Sequence, residues 1–330
     1  MVKSFFSGKQ VLVAGGTGTI GIPVVSRLLS CGASVHVVSM DEEDYARRVL
    51  PAEAVFERLD LTVLDNCMAV TKGKDHIFNL LGIKGSVGIG QKKVASYLVP
   101  MLWFQTNLME AAFRNKVSRF LFVGSICEYP QASKPKQEDT VWDGMPLQND
   151  RIPGLAKRIG EIQAEAYLLE YGWKAVRIVR PSNVYGPYDD FNPATAQVIP
   201  ALVRRVMDGE TPLRIWGDGT VQRDFIYSED LADWLLIALE EAPAGLPINM
   251  GCGTGHSIRE IAEIVCSCAA SPPPVEWLPE GPTGDPIRIL SIDRAVELLN
   301  FIPRVSLTEG IKKTFAWLQE NRDLADMKRR

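Results

Sequence analysis

Apolar runs of strand length alternate with helical stretches over the first half of the chain. The runs read QVLVAGG, SVHVVSM, AVFERLDLT, HIFNLLG, RFLFVGS and KAVRIVRPSNVYG, and a first helix is predicted from about Ile20 to Ser30. Strands and helices that alternate in this way form right-handed crossovers, which place the strands parallel in one sheet. The pattern therefore predicts an α/β protein with a doubly wound parallel sheet.

The pattern loosens from about residue 192. It predicts a helix near AQVIPALVRRVMDG, a short strand at PLRIWG and a Pro- and Gly-rich stretch at SPPPVEWLPEGPTGDP. We interpret residues 1–180 as the sheet domain. Residues 181–330 are predicted to form mainly a smaller C-terminal lobe, with some segments returning to the sheet.

The composition is that of an ordinary globular protein, with 330 residues, 46% apolar and 23% charged. A formal net charge of −4 and the lack of a basic stripe argue against a nucleic-acid partner. No apolar run reaches the ~18 residues that span a bilayer, and the N-terminus runs into the first strand without a signal peptide. Six scattered cysteines fit reduced thiols. We expect a cytoplasmic protein with no membrane, nucleic-acid or metal partner.

A glycine-rich loop, VLVAGGTGTIG, lies between the first strand and the first helix. Its G-x-x-G-x-x-G spacing allows a tight turn and a close approach of the backbone to a pyrophosphate, which the helix N-terminus then binds. The alternative is an ordinary Gly-rich turn. The strand–loop–helix context favours a Rossmann-type, NAD(P)-binding domain over residues 1–180. The predicted contacts are Gly15, Thr17, Gly18, Thr19, Ile20 and Gly21.

The end of the second strand bears on the choice between NAD and NADP. An acidic residue that binds the adenosine ribose is expected there, but the position is Ser39, and Asp41 follows two residues later. Arg47 and Arg48 are available for a 2′-phosphate, yet acidic residues 41–44 intervene. On charge grounds NAD is favoured and NADP is possible. The acidic run also has a plainer interpretation as a solvated helix start.

Beyond the glycine loop, the chain resembles the extended short-chain dehydrogenase/reductase family of nucleotide-sugar epimerases, dehydratases and ketoreductases. The resemblance covers nearly the whole chain and rests on the order of the segments RLDLT, NLLG, TNLMEAA, FVGSICEYP, RPSNVYGP and WGDGTVQRDFIYSEDLA. It implies a nucleotide-sugar substrate. It also implies cofactor contacts from Asp60, Leu61, Leu81, Gly82, Asn107 and Pro181.

Within that family, the segments GSICEYP and NVYGPYDDFNPATAQVIPALVRR are similar to the GDP-fucose synthases, which epimerise and reduce a GDP-linked 4-keto-6-deoxy sugar. An arginine suits a diphosphate because its planar fork matches two phosphate oxygens. For each arginine the plainer alternative is a surface ion pair. The substrate contacts implied by the resemblance are Asn183, Val198, Arg205, Trp216, Arg223 and Arg288.

The family's chemistry depends on a Tyr-x-x-x-Lys pair on one helix face. The lysine holds the nicotinamide ribose and lowers the pKa of the tyrosine, and a serine hydroxyl shares the reacting oxygen. This chain carries Lys157 and Ser125, but Pro153 stands at the tyrosine position. Pro153 suits the first turn of a helix that Asn149 or Asp150 can cap, yet proline has no ionisable group.

A second departure agrees with the first, because Gln197 stands where the GDP-fucose synthase pattern has a histidine acid. Cys127, which the resemblance makes the base partner of that acid, remains and has a plainer role as a small core residue. Candidates for the missing proton carrier are Cys127, Glu128, Tyr129, Asp150 and Tyr188. The predicted catalytic set is Ser125, Cys127, Tyr129 and Lys157.

Three interpretations remain open. The first is an NAD(P)-dependent nucleotide-sugar enzyme with an atypical acid or base. The second is an epimerase-only enzyme that abstracts a proton beside a ketone. The third is a binding protein that keeps both pockets without turnover. A homodimer is also expected, because VPMLWFQTNLMEAAF and LAKRIGEIQAEAYLLEYG are apolar enough to pair between subunits, although the same faces would also pack on the sheet.

Overall fold

The computed structural model of the protein describes residues 2–83, 94–280 and 285–327. The strands are β1 (Gln10–Ala14), β2 (Ser34–Ser39), β3 (Val55–Arg58), β4 (His76–Asn79), β5 (Arg119–Val123), β6 (Val176–Pro181), β7 (Asn183–Tyr185), β8 (Leu213–Trp216), β9 (Gln222–Arg223), β10 (Phe225–Tyr227), β11 (Pro247–Met250), β12 (His256–Ser257), β13 (Val275–Leu278) and β14 (Ile287–Arg288).

The helices follow the strands in the order that the alternation predicts. They are α1 (Val2–Phe6), α2 (Gly21–Ser30), α3 (Glu43–Val49), α4 (Leu64–Thr71), α5 (Val94–Arg114), α6 (Arg151–Tyr171), α7 (Val198–Met207), α8 (Ser228–Glu241), α9 (Ile258–Ser267), α10 (Asp293–Leu299), α11 (Leu307–Glu320) and α12 (Arg322–Met327). Two 3₁₀ turns span Ile126–Glu128 and Glu138–Trp142.

The central sheet has the strand order β11-β6-β5-β4-β1-β2-β3 within the described residues, and all its neighbours are parallel. Its central strands are buried on both faces, which is why they read as continuous apolar runs. One face packs against α2 and α8, and the other packs against α4, α5 and α6. The predicted α/β, Rossmann-type class is confirmed.

The C-terminal part of the chain contributes both to a separate core and to the sheet. Helices α7, α9 and α11 pack around β7, β8 and β10 in a hydrophobic cluster of their own. Strand β11 instead pairs with β6 at the edge of the central sheet, and α8 packs on α2. The boundary between residues 180 and 181 stays a prediction.

Two details of the strand pattern were wrong. The run KAVRIVRPSNVYG was expected to be one strand, but it divides at Ser182, whose N–H donates to the carbonyl of Met250. After that residue β7 leaves the central sheet and pairs with β10. The Pro- and Gly-rich stretch also contains an unpredicted strand, β13, which pairs in parallel with β8. Long-range pairing decides both outcomes, and it leaves no local trace in the sequence.

The part of the chain that the structure describes contains no helix long and apolar enough to cross a membrane. Within the same residues, no group of three or more His, Cys, Asp or Glu side chains is placed to bind a metal ion.

Helix α6 crosses the sheet closely because a glycine meets an aromatic ring. A Cβ added at Gly160 would overlap the ring of Phe122 on β5, and both residues are buried. We expect Gly160→Ala to lower the free energy of unfolding by about 1–3 kcal/mol, since overpacking outweighs the ~1 kcal/mol gain in helix propensity. Glu165→Ala, on the exposed side of the same helix, is the control and should change stability by less than ~0.5 kcal/mol. Urea unfolding measures both, and equal stabilities would contradict the packing described here.

Candidate active site

The predicted cofactor residues gather at one edge of the sheet. Parallel strands all end at the same edge, so the loops that follow them lie side by side. Loops after β1, β2, β3, β4 and β5 converge there, with Pro181 at the end of β6. The glycine loop, Ser39, Asp60, Leu61, Leu81, Gly82 and Ser125 lie on these loops or strand ends.

The glycine loop has the backbone geometry that a pyrophosphate site requires. Gly15 has φ +82°, and a Cβ there would lie 3.2 Å from the backbone of Leu80. A Cβ at Gly21 would overlap the backbone of Gly15, so only glycine lets α2 begin so close to the loop. The N-cap residue Ile20 makes no side-chain capping bond, which leaves the positive end of the α2 dipole to a ligand. The loop therefore fits a dinucleotide pyrophosphate.

A polar cluster closes the loop against the end of β2. The Thr17 hydroxyl lies 2.5 Å from an oxygen of the Asp41 carboxylate and 2.9 Å from the Ser39 hydroxyl. The Asp41 backbone N–H donates to Ser39 Oγ at 3.0 Å. The Asp41 carboxylate is thereby held against the glycine loop, two residues beyond the end of the strand.

Arg47 and Arg48, which follow Asp41 along the chain, each contact another side chain. Arg47 pairs with Glu43 one turn earlier in α3, at 2.5 Å. Arg48 contacts the sulfur of Met327 near the end of the described chain, at 2.8 Å. Neither guanidinium faces the Asp41 carboxylate in these contacts.

Asp60 and Leu61, predicted to contact the cofactor, lie in the loop after β3. Asp60 uses one carboxylate oxygen to accept from the backbone N–H and the hydroxyl of Thr62, at 2.8 and 2.7 Å. Leu61 is buried under α4 and α5. Asn107 on α5 donates to the carbonyl of Thr62 at 2.8 Å, so it fixes the loop after β3.

Lys157 joins two strand ends from the middle of the site. Its buried ammonium donates to the carbonyl of Leu81 at 2.9 Å and to the carbonyl of Val123 at 2.8 Å, and it lies 5.2 Å from the centre of the Phe122 ring. Burial lowers the pKa of Lys157 to about 8, while nearby carboxylates oppose that change. The ammonium is therefore charged over most of the physiological range and titrates at its upper end.

Ser125 begins the 3₁₀ turn at the end of β5. Its hydroxyl oxygen accepts from the backbone N–H of Cys127 at 3.1 Å, and its own backbone N–H donates to the carboxyl of Glu128 at 2.6 Å. Among the described residues the structure gives the Ser125 hydroxyl proton no acceptor. The hydroxyl is thus oriented by the turn and can donate to a substrate oxygen.

Tyr129 does not have the surroundings of a proton donor. It is 1% exposed, its hydroxyl donates to Asn249 at 2.7 Å, and it accepts from Arg180 at 2.9 Å. Burial raises the pKa of Tyr129 well above its ordinary value. We remove it from the proposed catalytic set, because a hydroxyl with two buried partners cannot reach a substrate.

Cys127, Arg288 and Asp150 form a contiguous polar group. The guanidinium of Arg288 lies 3.1 Å from Cys127 Sγ and 2.7 Å from the Asp150 carboxylate. Burial first, and the Asp150 charge second, raise the pKa of the Cys127 thiol to about 11, against the opposing effect of Arg288. The thiol is protonated at neutral pH, which favours Cys127 as a proton donor over the expected role of base.

The helix that follows begins as expected but is capped differently. Pro153 lies in the first turn of α6, where its missing N–H leaves no hydrogen bond unmade. Asp150 is the N-cap residue, yet its side chain makes no capping bond and pairs with Arg288 instead. A Cβ at Gly154 would overlap the carbonyl of Cys127, so this turn of the helix presses against the 3₁₀ turn.

The predicted substrate residues divide between two contact groups. Arg223 on β9 is paired in register with Arg288 on β14, and it donates to the carbonyl of Asp285 at 2.5 Å. Burial and then the Arg288 charge lower the pKa of Arg223, as expected for two adjacent cations. Asn183 lies beside them and donates to the carbonyl of Asp224 at 2.7 Å.

The second group lies around α7 and β8. Arg205 pairs with the carboxylate of Glu210 at 2.5 Å and donates to the carbonyl of Arg214. Trp216, at the end of β8, is 66% exposed. Val198 is the first residue of α7, directly after Gln197 at its N-cap. The ion pair of Arg205 is the plainer role considered for it, and no described contact joins this group to Arg288.

Two residues that support the site, Asn79 and Glu161, were not predicted from the sequence. Asn79 is fully buried at the end of β4, and its side-chain oxygen accepts from the N–H of Leu81 at 3.3 Å, so it helps position the carbonyl that binds Lys157. Glu161 on α6 binds Arg180 through both oxygens. A polar residue inside an apolar strand run, as in HIFN and VRIVRP, is the signal that can reveal Asn79 and also Arg180, the partner of Glu161.

The glycine loop, the buried lysine and the oriented serine at one sheet edge define a nucleotide-dependent enzyme site. The family model described as the NAD dependent epimerase/dehydratase family matches residues 11–251, and the chain belongs to that family.

Individual relatives cover nearly all of the chain. It is 31% identical to the GDP-L-fucose synthase of Sinorhizobium fredii, over 96% of this chain and 97% of that protein. It is 27% identical to GDP-mannose 3,5-epimerase 1 of Oryza sativa subsp. japonica, over 94% of this chain and 82% of that protein. An epimerase structure from Methanothermobacter thermautotrophicus superposes with a TM-score of 0.88 and 26% identity, covering 98% of this chain and 96% of that one.

The arrangement around Cys127 can be tested without a substrate. Asp150→Asn removes a charge that raises the pKa of the thiol and leaves Arg288 free to stabilise the thiolate. We expect the pKa to fall from about 11 and alkylation of Cys127 by iodoacetamide at pH 8 to become ~10-fold faster or more. Peptide mass spectrometry measures the rate. Asp143→Asn, which changes an exposed aspartate, is the control, and an unchanged rate in Asp150→Asn would contradict the coupling.

Proposed function

We propose that the protein is an NAD(P)-dependent enzyme that modifies a nucleotide-activated sugar, with a GDP-linked 4-keto-6-deoxy sugar as the favoured substrate. The observation that carries the proposal is the joint placement of Lys157 and Ser125 beside the Cys127–Arg288–Asp150 group. The GDP-linked substrate is supported by the GDP-sugar relatives and by the adjacent guanidinium groups of Arg223 and Arg288, which suit a diphosphate.

The proposed cofactor is NAD, with NADP as the alternative. The Asp41 carboxylate, held by Thr17 and Ser39, would accept from ribose hydroxyls and repel a 2′-phosphate. Arg47 is occupied by Glu43, which weakens the case for NADP. All six cysteines are free, in keeping with our expectation of a cytoplasmic enzyme.

In this proposal the protein's residues orient the reacting oxygen and supply the proton that accompanies hydride transfer. Bound nicotinamide supplies the hydride acceptor or donor. Lys157 contributes positive charge beside the cofactor site, and Ser125 orients the reacting oxygen through its free hydroxyl proton. Cys127 donates a proton, and the Arg288 guanidinium then stabilises the thiolate that remains, against the opposing charge of Asp150. No proton is required from the position of Pro153.

Epimerisation without net redox change is the second candidate. It is favoured by one observation: the best-formed proton-handling group is the one around Cys127, whereas the tyrosine that assists hydride transfer in the family is replaced by Pro153. An epimerase-only enzyme needs a proton-handling group such as the one around Cys127, and it does not need the tyrosine.

A substrate panel tests the proposed function. GDP-, UDP-, dTDP- and CDP-sugars, including 4-keto-6-deoxy forms, are incubated with NADH or NADPH, and products are followed by absorbance and NMR. We expect turnover of a GDP-linked sugar, and absorbance separates reduction from epimerisation. Lys157→Met should lower the rate by ~10²-fold or more, because its charge acts beside the reacting groups. Lys313→Met, on the surface of α11, is the control. Micromolar binding without turnover of any sugar would instead support a binding protein.

We also propose a homodimer formed through α5 and α6. These helices pack on each other, and both still expose large apolar side chains, including Trp103 on α5 and Ile159 and Ile162 on α6. Apolar side chains on two adjacent helices provide a continuous face that a second copy can bury.

The dimer has a direct test. Ile162→Glu places a charge on the proposed face, and we expect it to shift the protein from dimer to monomer in light scattering because burying an unpaired carboxylate is costly. Val296→Glu, an exposed apolar position on α10, is the matched control and should leave the mass unchanged. A monomeric parent protein would contradict the proposal.

A further inference from the structure

A buried charge cluster lies directly beneath Ser125. It contains Glu128 from the 3₁₀ turn, Glu161 from α6 and Arg180 from β6, all less than a tenth exposed. A Cβ at Gly124 would overlap the Glu128 carboxyl and lie 3.3 Å from that of Glu161, so the two carboxyls share the space beside this glycine. Two buried carboxyls, those of Glu128 and Glu161, therefore share the one guanidinium of Arg180.

The hydrogen bonds of Arg180 are not shared equally between the two acids. Its Nε and Nη2 donate to both oxygens of Glu161, at 2.8 and 2.5 Å. Its Nη1 donates to the hydroxyl of Tyr129 and to the carbonyl of Glu138. Glu128 is left with a 3.3 Å approach to Nε that is too poorly directed to be a hydrogen bond.

Glu128 is therefore the acid that holds a proton. Its Oε1 accepts from the Ser125 N–H, but Oε2 is buried and accepts no hydrogen bond in the described structure. Burial first, and the Glu161 charge second, raise the pKa of Glu128 well above its ordinary value, against the effect of Arg180. A neutral carboxyl satisfies the site because its O–H can donate to the neighbouring Glu161 carboxylate.

The pKa of Lys157 depends on the charge of this cluster. Its ammonium donates to the carbonyl of Val123, the residue before Gly124, and the groups whose negative charge would raise its pKa are Glu128, Glu161 and Cys127. Arg158 donates to the Glu128 carbonyl and, with Arg180, surrounds Glu128 by positive charge. Of the two carboxyls, Glu128 is the one that accepts no hydrogen bond from Arg180, so its charge is the less compensated when it ionises.

We propose that Glu128 is a positioning residue that holds the proton shared by the two acids and whose ionisation, as the pH rises, keeps Lys157 charged. The inference rests on the proposed function only in taking Lys157 as a cofactor contact. Below the pH at which Glu128 ionises, Lys157 is protonated without assistance. Above it, the new carboxylate stabilises the ammonium, so a protein without Glu128 loses the Lys157 proton at lower pH.

The test measures Lys157 itself rather than turnover. Trace acetylation by acetic anhydride between pH 6 and 10, read by peptide mass spectrometry, reports the fraction of neutral Lys157. We expect Glu128→Gln, which mimics the protonated acid, to match the parent at pH 6 and to lower the midpoint by about one pH unit. Glu240→Gln, at a partly buried glutamate on α8, is the control. Equal midpoints in Glu128→Gln and the parent would overturn the proposal.

Two further measurements separate the possible failures. In the parent, the Lys157 curve should be broader than a one-proton curve, because two coupled groups titrate, and a one-proton curve would overturn the proposal even if Glu128→Gln did not fold. NAD⁺ affinity is measured in parallel. We expect it to fall more steeply with pH in Glu128→Gln than in the parent. A Lys157 shift without NAD⁺ binding would leave this inference standing and contradict the proposed function.

Discussion

One buried ammonium group holds the cofactor edge of this protein together. Lys157 reaches from α6 to the carbonyl of Leu81, two residues after β4, and to the carbonyl of Val123, the last residue of β5. These contacts require α6 to lie close to the sheet, and Gly154 and Gly160 provide that closeness because neither has a side chain. The position of the helix then fixes Asp150 at its N-terminus and Glu161 beneath the serine turn. The positions of the candidate catalytic side chains therefore depend on how closely α6 packs against the sheet.

Pro153, at the position of the family's tyrosine, cannot supply a proton, but it leaves the packing of α6 against the sheet intact. Pro153 fits the first turn of α6, and the cap residue Asp150 is released from capping to pair with Arg288. Arg288 in turn reaches Cys127, so a carboxylate, a guanidinium and a thiol lie in one contact chain drawn from three separate segments. A local helix preference and a long-range ion pair thus support each other.

Much of the fold was predictable because its signals are local. Continuous apolar runs predicted the strands of the central sheet, and the glycine spacing predicted where α2 begins. The division at Ser182 and the pairing of β13 with β8 depend on distant partners and leave no local pattern. In the site, Lys157 and Ser125 were predicted from the resemblance to the family's segments, whereas the burial of Tyr129 and the pairing of Arg288 with Asp150 depend on which side chains the folded chain brings together.

The return of β11 to the sheet has a consequence for how the molecule is assembled. Residues 247–250 complete the edge beside β6 only after the chain has passed through β7, α7 and β10 of the smaller lobe. The two cores are therefore interleaved along the chain, and neither is a contiguous unit that can be exchanged by a single cut. The edge of β6 is therefore completed only after the smaller lobe has been synthesised, and until then its backbone N–H and C=O groups have no partner strand on that side.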